Sequence, residues 1–331
     1  MKSISLENYS IIEDNRAIFE KLLVDKTTGH NIVWGTSDYS SYGPGYGESD
    51  FIQYLFLFGS ERIIRPRVFK SEAEKRARSR DKAEVFTPTW IVNCQNNLVD
   101  DQWIGKSGIF NIESDKGWKT TEKIDLGGRW KEYVRSTRLE VCCGEAPYLT
   151  TRYDPEEGFT IPVSDRVGLL DRKLRVVSEY AQTKDDWLKY AEISVKSIYG
   201  YDLQGDNVLL SRENLLLTFI EYYENKFDEL PDEGIQRHMA DIVAWNIWQM
   251  DGEKYVAPFS CNRFARQSID GVTRVPPCIA CKTGKGKHLG NYCRIKDWDL
   301  RTTVVFSEML NKTEPEKTVT VNNKSNLDRW L

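Results

Sequence analysis

The spacing of apolar positions changes several times along the chain. In residues 14–24, Ile18, Phe19, Leu22 and Leu23 recur at helical intervals and predict an amphipathic helix. Residues 36–50 are rich in Ser, Tyr and Gly and read as a loop, and a mixed apolar stretch follows at 51–58. Residues 138–143 form a short apolar run that ends in a Cys-Cys-Gly turn, as a strand does. Residues 167–180 and 184–195 read as helices and 197–201 as a strand. Residues 207–227 read as a long helix that buries Leu209, Leu210, Leu217 and Ile220, and 242–248 as a further strand. Strands alternating with helices predict an α/β fold with a mostly parallel, doubly wound sheet. Residues 253–300 place Cys, Gly and Pro without regular period, and 311–331 read as a polar tail. No repeat or heptad pattern interrupts this order.

Composition narrows the class. The 331 residues suggest about two domains, or one large one with additions. Hydrophobic residues at 40% and charged residues at 29% give a globular profile, not a disordered one. No apolar run nears the ~18–20 residues of a membrane span. The polar start, Met1 to Asn8, lacks a secretory core, so a cytoplasmic location is expected. Seven cysteines cannot all pair within one chain, which favours reduced thiols or metal ligands.

With 46 basic and 50 acidic residues, a net charge of −4 excludes a uniformly basic nucleic-acid coat but not a local basic face. Such a face is offered by residues 62–82. They carry Arg62, Arg65, Arg67, Lys70, Lys75, Arg76, Arg78, Arg80 and Lys82 against Glu72, Glu74 and Asp81. This run is either a solvated helix with mixed salt bridges or a surface for DNA phosphates.

Three strand ends carry acids. Leu139-Glu140-Val141-Cys142-Cys143-Gly144 runs from a strand into a turn of small residues, where a ligand can approach the backbone. Asp202 ends Ile198-Tyr199-Gly200-Tyr201-Asp202, and Asp251 ends Asn246-Ile247-Trp248-Gln249-Met250-Asp251. Acids at adjacent strand ends suit an adenosine-type ligand, whose ribose hydroxyls donate to carboxylates.

In this arrangement the sequence resembles the adenine-specific (N6) DNA methyltransferases, the modification subunits of restriction systems. Glu140 to Ala146 resembles their Asp-Pro-Ala-Cys-Gly-Ser-Gly motif, with Cys143 and Gly144 identical. Phe86-Thr87-Pro88 resembles their Phe-Thr-Pro motif. Gly200-Tyr201-Asp202 with Ser211-Arg212-Glu213-Asn214-Leu215 resembles their Gly-x-Glu and Ala-Arg-x-Asn-Leu pattern. The resemblance implies a Rossmann-like S-adenosylmethionine-dependent methyltransferase fold over 84–255, after an N-terminal helical or mixed region at 1–83 that includes the basic segment. A small Cys-rich region at 256–310 and the tail at 311–331 follow. It also implies that Phe86, Thr87 and Pro88 line the methionine end of the cofactor, Glu140 and Gly144 its amino-acid part, Asp202 the ribose and Asp251 the adenine.

The family's catalytic Asn/Asp/Ser-Pro-Pro-Tyr/Phe motif, which holds the target amine and stacks on the flipped base, is not found. The only Pro-Pro pair is Val275-Pro276-Pro277-Cys278. Catalysis by the chain alone is therefore open. The readings are a DNA adenine methyltransferase-like subunit of a restriction-modification or phage-defence system, or a non-catalytic S-adenosylmethionine- and DNA-binding module that regulates or scaffolds a partner.

Cys278-x2-Cys281-x6-His288-x4-Cys293 offers four zinc ligands, and Cys261 is an alternative fourth to His288. The pattern resembles a retroviral-type zinc knuckle, with six residues where that family has four. Lys282, Lys285 and Lys287 lie beside it.

Overall fold

The computed structural model describes residues 15–57, 62–82, 84, 87–263, 267–269, 272–274 and 277–311. The chain opens with α1 (Arg16–Leu23), whose first turn is capped by the Asn15 side chain accepting the Ile18 N–H. Its buried face is Ile18, Phe19, Leu22 and Leu23, as the spacing predicts. The chain then folds back past the fully buried Trp34, whose indole N–H donates to the Gly45 carbonyl at 3.0 Å. Short α2 (Tyr54–Leu57), the charged α3 (Glu72–Lys82) and α4 (Thr89–Ile104) follow. Next come an antiparallel hairpin, β1 (Asn111–Ser114) and β2 (Gly117–Thr120), and α5 (Trp130–Arg135).

The centre is β3 (Arg138–Val141), α6 (Leu169–Tyr180), α7 (Lys184–Lys196), β4 (Ile198–Asp202), α8 (Gly205–Phe227), α9 (Glu233–Asn246) and β5 (Ile247–Gln249). β3, β4 and β5 form a parallel sheet in that order, with Glu140 opposite Gly200 and Asp202 opposite Gln249. α8 is buried nearly all round over its first four turns, which makes it the core helix. It can start where it does because Gly205 has no side chain. A Cβ there would lie 1.9 Å from the Val33 carbonyl oxygen.

Arg212 of α8 is fully buried and donates to the carbonyls of Leu22, Val24, Ala244 and Ile247. One guanidinium thus satisfies carbonyl groups at the end of α1, the end of α9 and the start of β5. The main apolar cluster takes side chains from α1 and the Trp34 segment as well as from α6 through β5.

The expected Rossmann-like, doubly wound sheet is not what forms. The parallel sheet has three strands, and the other strands pair in antiparallel twos. The cause lies in the connections. Helices come in pairs, α6–α7 and α8–α9, between successive strands. Among the described residues after β5, no further helical crossover to a parallel strand is made. The chain enters the Gly-, Pro- and Cys-bearing segment that carries α10 (Ser260–Arg263), the hairpin β6 (Gln267–Ile269) and β7 (Val272–Arg274), and α11 (Ile279–Thr283). A second hairpin, β8 (Arg294–Asp297) and β9 (Thr302–Val305), and α12 (Phe306–Asn311) complete the described chain.

The strand expected at 242–248 is also corrected. Met239, Ile242, Val243 and Asn246 are buried at helical intervals. The Asp232 side chain caps the helix by accepting the Ile235 N–H, so α9 runs to Asn246 and only Ile247–Gln249 is extended.

Candidate functional site

Glu140 and Asp202 stand at the carboxyl end of neighbouring parallel strands, and the turn after β3 lies between them. Asp202 Oδ2 accepts the Gly144 N–H at 2.9 Å, and Oδ1 accepts the Gln204 N–H at 2.8 Å. Burial pushes the Asp202 carboxyl up to about 6, against the pull of those two N–H groups. Glu140 Oε1 faces the Tyr148 N–H at 3.4 Å, while its buried Oε2 has no partner among the described residues. Burial holds the Glu140 carboxyl well above the usual range.

The turn itself is unusual. Cys142 (φ 51°), Gly144 (φ 54°) and Ala146 (φ 62°) are all left-handed, although two of them carry a Cβ. Such residues cost roughly 1–2 kcal/mol each and persist where their surroundings hold them. α8 supplies the hold. Ser211 Oγ donates to the Gly144 carbonyl, and Asn214 Nδ2 donates to the Glu145 carbonyl at 3.1 Å. The Ser211-Arg212-x-Asn214 run therefore fixes the turn and ties α8 to its neighbours.

Sequence reasoning misses Glu145. This buried acid accepts the Arg67 backbone N–H at 2.6 Å and the Tyr153 hydroxyl at 2.6 Å. No local pattern marks it, because its partners come from distant segments. Asp251 lies two residues past the end of β5, next to Met250, whose N–H donates to the Asp202 carbonyl at 3.0 Å. The Asp251 carboxylate accepts the Glu253 and Lys254 N–H groups and pairs with Lys254 Nζ at 2.5 Å, closing its own turn. Thr87 and Pro88 lead directly into α4. Phe86 lies outside the described residues. Asn246 ties three segments together: its Nδ2 donates to the Val195, Lys196 and Ile198 carbonyls and its Oδ1 accepts the Trp298 indole N–H at 2.8 Å.

The basic segment turns largely inward. Arg62 pairs with Glu213 at 2.5 Å, and the two side chains are 7% and 0% exposed. Arg78 pairs with Asp206 at 2.9 Å, Glu84 at 2.7 Å and Asp38 at 2.8 Å. Arg67 reaches Glu84 at 3.4 Å, and Lys70 reaches Asp206 at 3.5 Å. Burial pulls the Asp206 carboxyl up, but Arg78 and Lys70 outweigh it and hold the group well below the usual range. Lys75 pairs with Glu72 and Arg80 with Asp81 near the surface. Arg65 and Arg76 are the members of the expected DNA-contacting set that make no ion pair among the described residues.

Cys261, Cys278, Cys281 and His288 form one group that could hold a metal ion, their ligand atoms all within 4.8 Å of one another. His288 Nδ1 is 3.3 Å from Cys281 Sγ, 3.7 Å from Cys278 Sγ and 3.8 Å from Cys261 Sγ. Cys278 caps α11 and Cys281 lies within it, so one short helix presents two thiols. The Leu289 N–H, 3.4 Å from Cys278 Sγ, helps draw that thiol down to about 6. Cys261 is delivered by α10 and is backed by Gly290. A Cβ on Gly290 would lie 2.3 Å from Ser260 Oγ and 2.9 Å from both the Cys261 nitrogen and its Sγ. Cys293, offered by the sequence as a ligand, is not in the group. Its fully buried thiol donates to the Gln249 carbonyl and packs with Tyr201, Trp248 and Phe306.

No family model, curated protein or solved structure matches the chain. Among the described residues, no helix is long and apolar enough to cross a membrane.

Proposed function

We propose that the chain is an S-adenosylmethionine-binding subunit of the DNA adenine methyltransferase type, which holds cofactor and DNA. The observation that carries this reading is Glu140 and Asp202 near the ends of two adjacent parallel strands, with Asp202 accepting the N–H of Gly144 in the turn that follows Glu140. Ligands of open parallel sheets sit outside the carboxyl ends of the strands. Each Asp202 oxygen already accepts one N–H and retains a second lone pair for a ribose hydroxyl. Glu140 Oε2 offers the acceptor that an amino group would fill. The left-handed turn at Cys142, Gly144 and Ala146 is the kind of held strain that collects at ligand sites. When bound, the cofactor supplies the methyl group. Glu140, Asp202 and the turn between them position it and leave the target amine untouched.

The second reading is a non-catalytic module that works with a partner protein. It is favoured by the absence of Asn-Pro-Pro-Tyr from the sequence.

The Cys261, Cys278, Cys281 and His288 group is proposed as a structural zinc site. A tetrahedral zinc with Zn–S near 2.3 Å and Zn–N near 2.05 Å sets S···N edges of about 3.6 Å. The three such edges here are 3.3, 3.7 and 3.8 Å. Four protein ligands leave no open position for chemistry, so the metal's role is to close the loop.

Titration calorimetry of the folded chain with S-adenosylmethionine and S-adenosylhomocysteine tests the main reading. Saturable heat with either is expected. No heat with both removes it.

A further inference from the structure

The ion pairs of the basic segment leave the question of where a polyanion could meet this chain. In residues 277–291 there is no Asp or Glu, and Lys282, Lys285 and Lys287 are all exposed. None of the three makes an ion pair among the described residues, in contrast to Arg62, Arg67, Lys70 and Arg78. Their position follows from the metal group. Cys281 directly precedes Lys282 and His288 directly follows Lys287, so two ligands 3.3 Å apart pinch a six-residue loop that carries all three charges. Gly284 ends α11 in the left-handed region (φ 69°) and Gly286 (φ 89°) bends the loop again, keeping it compact. On either side of the pinch, Ile279 and Leu289 are 71% and 47% exposed.

We propose that the 282–287 loop is a nucleic-acid contact, with Lys282, Lys285 and Lys287 on backbone phosphates. Lysine ammonium groups suit phosphates as point charges. The net charge of the chain is −4, so a polyanion needs a local basic surface of this kind. An anionic bilayer would ask for a broader apolar face than two side chains. The inference rests on the DNA-holding reading above and assigns it a surface.

The test is fluorescence anisotropy of a labelled mixed-sequence duplex with the full chain, over salt from about 50 to 200 mM. The variant K282Q/K285Q/K287Q should lower the slope of log affinity against log salt by about 2 to 3, close to 0.9 for each phosphate no longer neutralised. Its metal content, measured on the same preparation, should equal that of the parent. Cys281→Ser, which keeps the lysines but opens the pinch, should weaken binding in the same direction, and Arg65→Gln with Arg76→Gln should alter it less. If the parent binds DNA and the triple variant binds with the same slope, the loop assignment is wrong and the wider reading stands. If the parent does not bind DNA at all, the DNA-holding reading fails with it. If the triple variant loses binding to phosphatidylserine vesicles but not to DNA, the surface belongs to a membrane and the proposal is overturned.

Discussion

Asp202 Oδ2 lies 2.9 Å from the Gly144 nitrogen, so the end of β4 holds the turn that leaves β3. The carboxylate shapes the turn and, in the proposed function, also accepts a ribose hydroxyl. Changing it should therefore be felt in ligand binding and in folding, and the two effects can be separated.

Asp202→Asn keeps the size of the side chain and removes its charge. S-adenosylmethionine affinity should fall by the worth of a charge-assisted hydrogen bond, about 1.5–3 kcal/mol, or roughly 10- to 150-fold. Calorimetry on parent and variant measures this, and equal affinities would remove Asp202 from the pocket.

The same residue sets a pH dependence. Burial places its folded-state carboxyl at about 6, above the ~3.9 of an unfolded chain. Between those values the folded chain holds a proton that the unfolded chain lacks. Asp202 therefore adds stability as pH falls and loses it as pH rises through 6, by about 1 kcal/mol between pH 5 and pH 7. Denaturant titrations at the two pH values should show a smaller acid-side gain in Asp202→Asn than in the parent. Asp171, also raised to about 6 by burial, contributes with the same sign and is common to both proteins.

Metal content discriminates among the cysteines. Protein purified without chelator should carry about one equivalent of zinc. Cys278→Ser and Cys281→Ser should lose it. Cys293→Ala should keep it while losing about 1–2 kcal/mol of stability through a smaller buried side chain. Gly290→Ala, which drives a methyl against Ser260 and Cys261, should release zinc more readily in a chelator competition. Elemental analysis that finds zinc retained in Cys281→Ser would refute the ligand assignment.

Arg62 should behave as a structural cation. Arg62→Met leaves Glu213 buried without its guanidinium and should destabilise the chain by about 3–5 kcal/mol. The salt dependence of DNA binding should stay unchanged. A lower salt slope with unchanged stability would return Arg62 to the nucleic-acid surface.

Assayed alone, the chain should transfer methyl groups to DNA poorly or not at all, because its sequence lacks the Asn-Pro-Pro-Tyr motif that would hold the target amine. A tritiated-methyl assay on mixed-sequence DNA is the measurement. Robust incorporation into adenine would contradict the non-catalytic reading.

Where a segment carries its own period, the sequence is readable. α1, α6, α7 and α8 lie within two residues of their expected bounds, because each repeats apolar positions every three to four residues. The run 242–248 is not readable in that way. A short apolar stretch fits the end of a buried helix and a buried strand equally, and the Asp232 cap ten residues upstream decides it. The basic segment misleads for a different reason. Arg62 meets Glu213 across 151 residues of chain, and no local feature announces such a partner. Among the metal ligands, Cys278, Cys281 and His288 are close in sequence, so their spacing reveals them. The sequence offers Cys261 as an alternative to His288 and keeps Cys293, whereas the folded chain brings Cys261 in beside His288, through α10 and the bare backbone of Gly290, and leaves Cys293 out.

The Arg212 guanidinium has a consequence for how the chain is made. Its acceptors include the Leu22 carbonyl, 190 residues earlier, and the Ile247 carbonyl, 35 residues later. During synthesis, α1 emerges long before the helix that receives it, and β5 later still. Phe19 meets Tyr54 early, but the part of the Ile18, Phe19, Leu22 and Leu23 face that packs on α9 must wait for about ten seconds or more at 5–20 residues per second. A nascent chain with that face exposed is a natural client for a chaperone, and slowing translation between α1 and α8 should raise the fraction that aggregates.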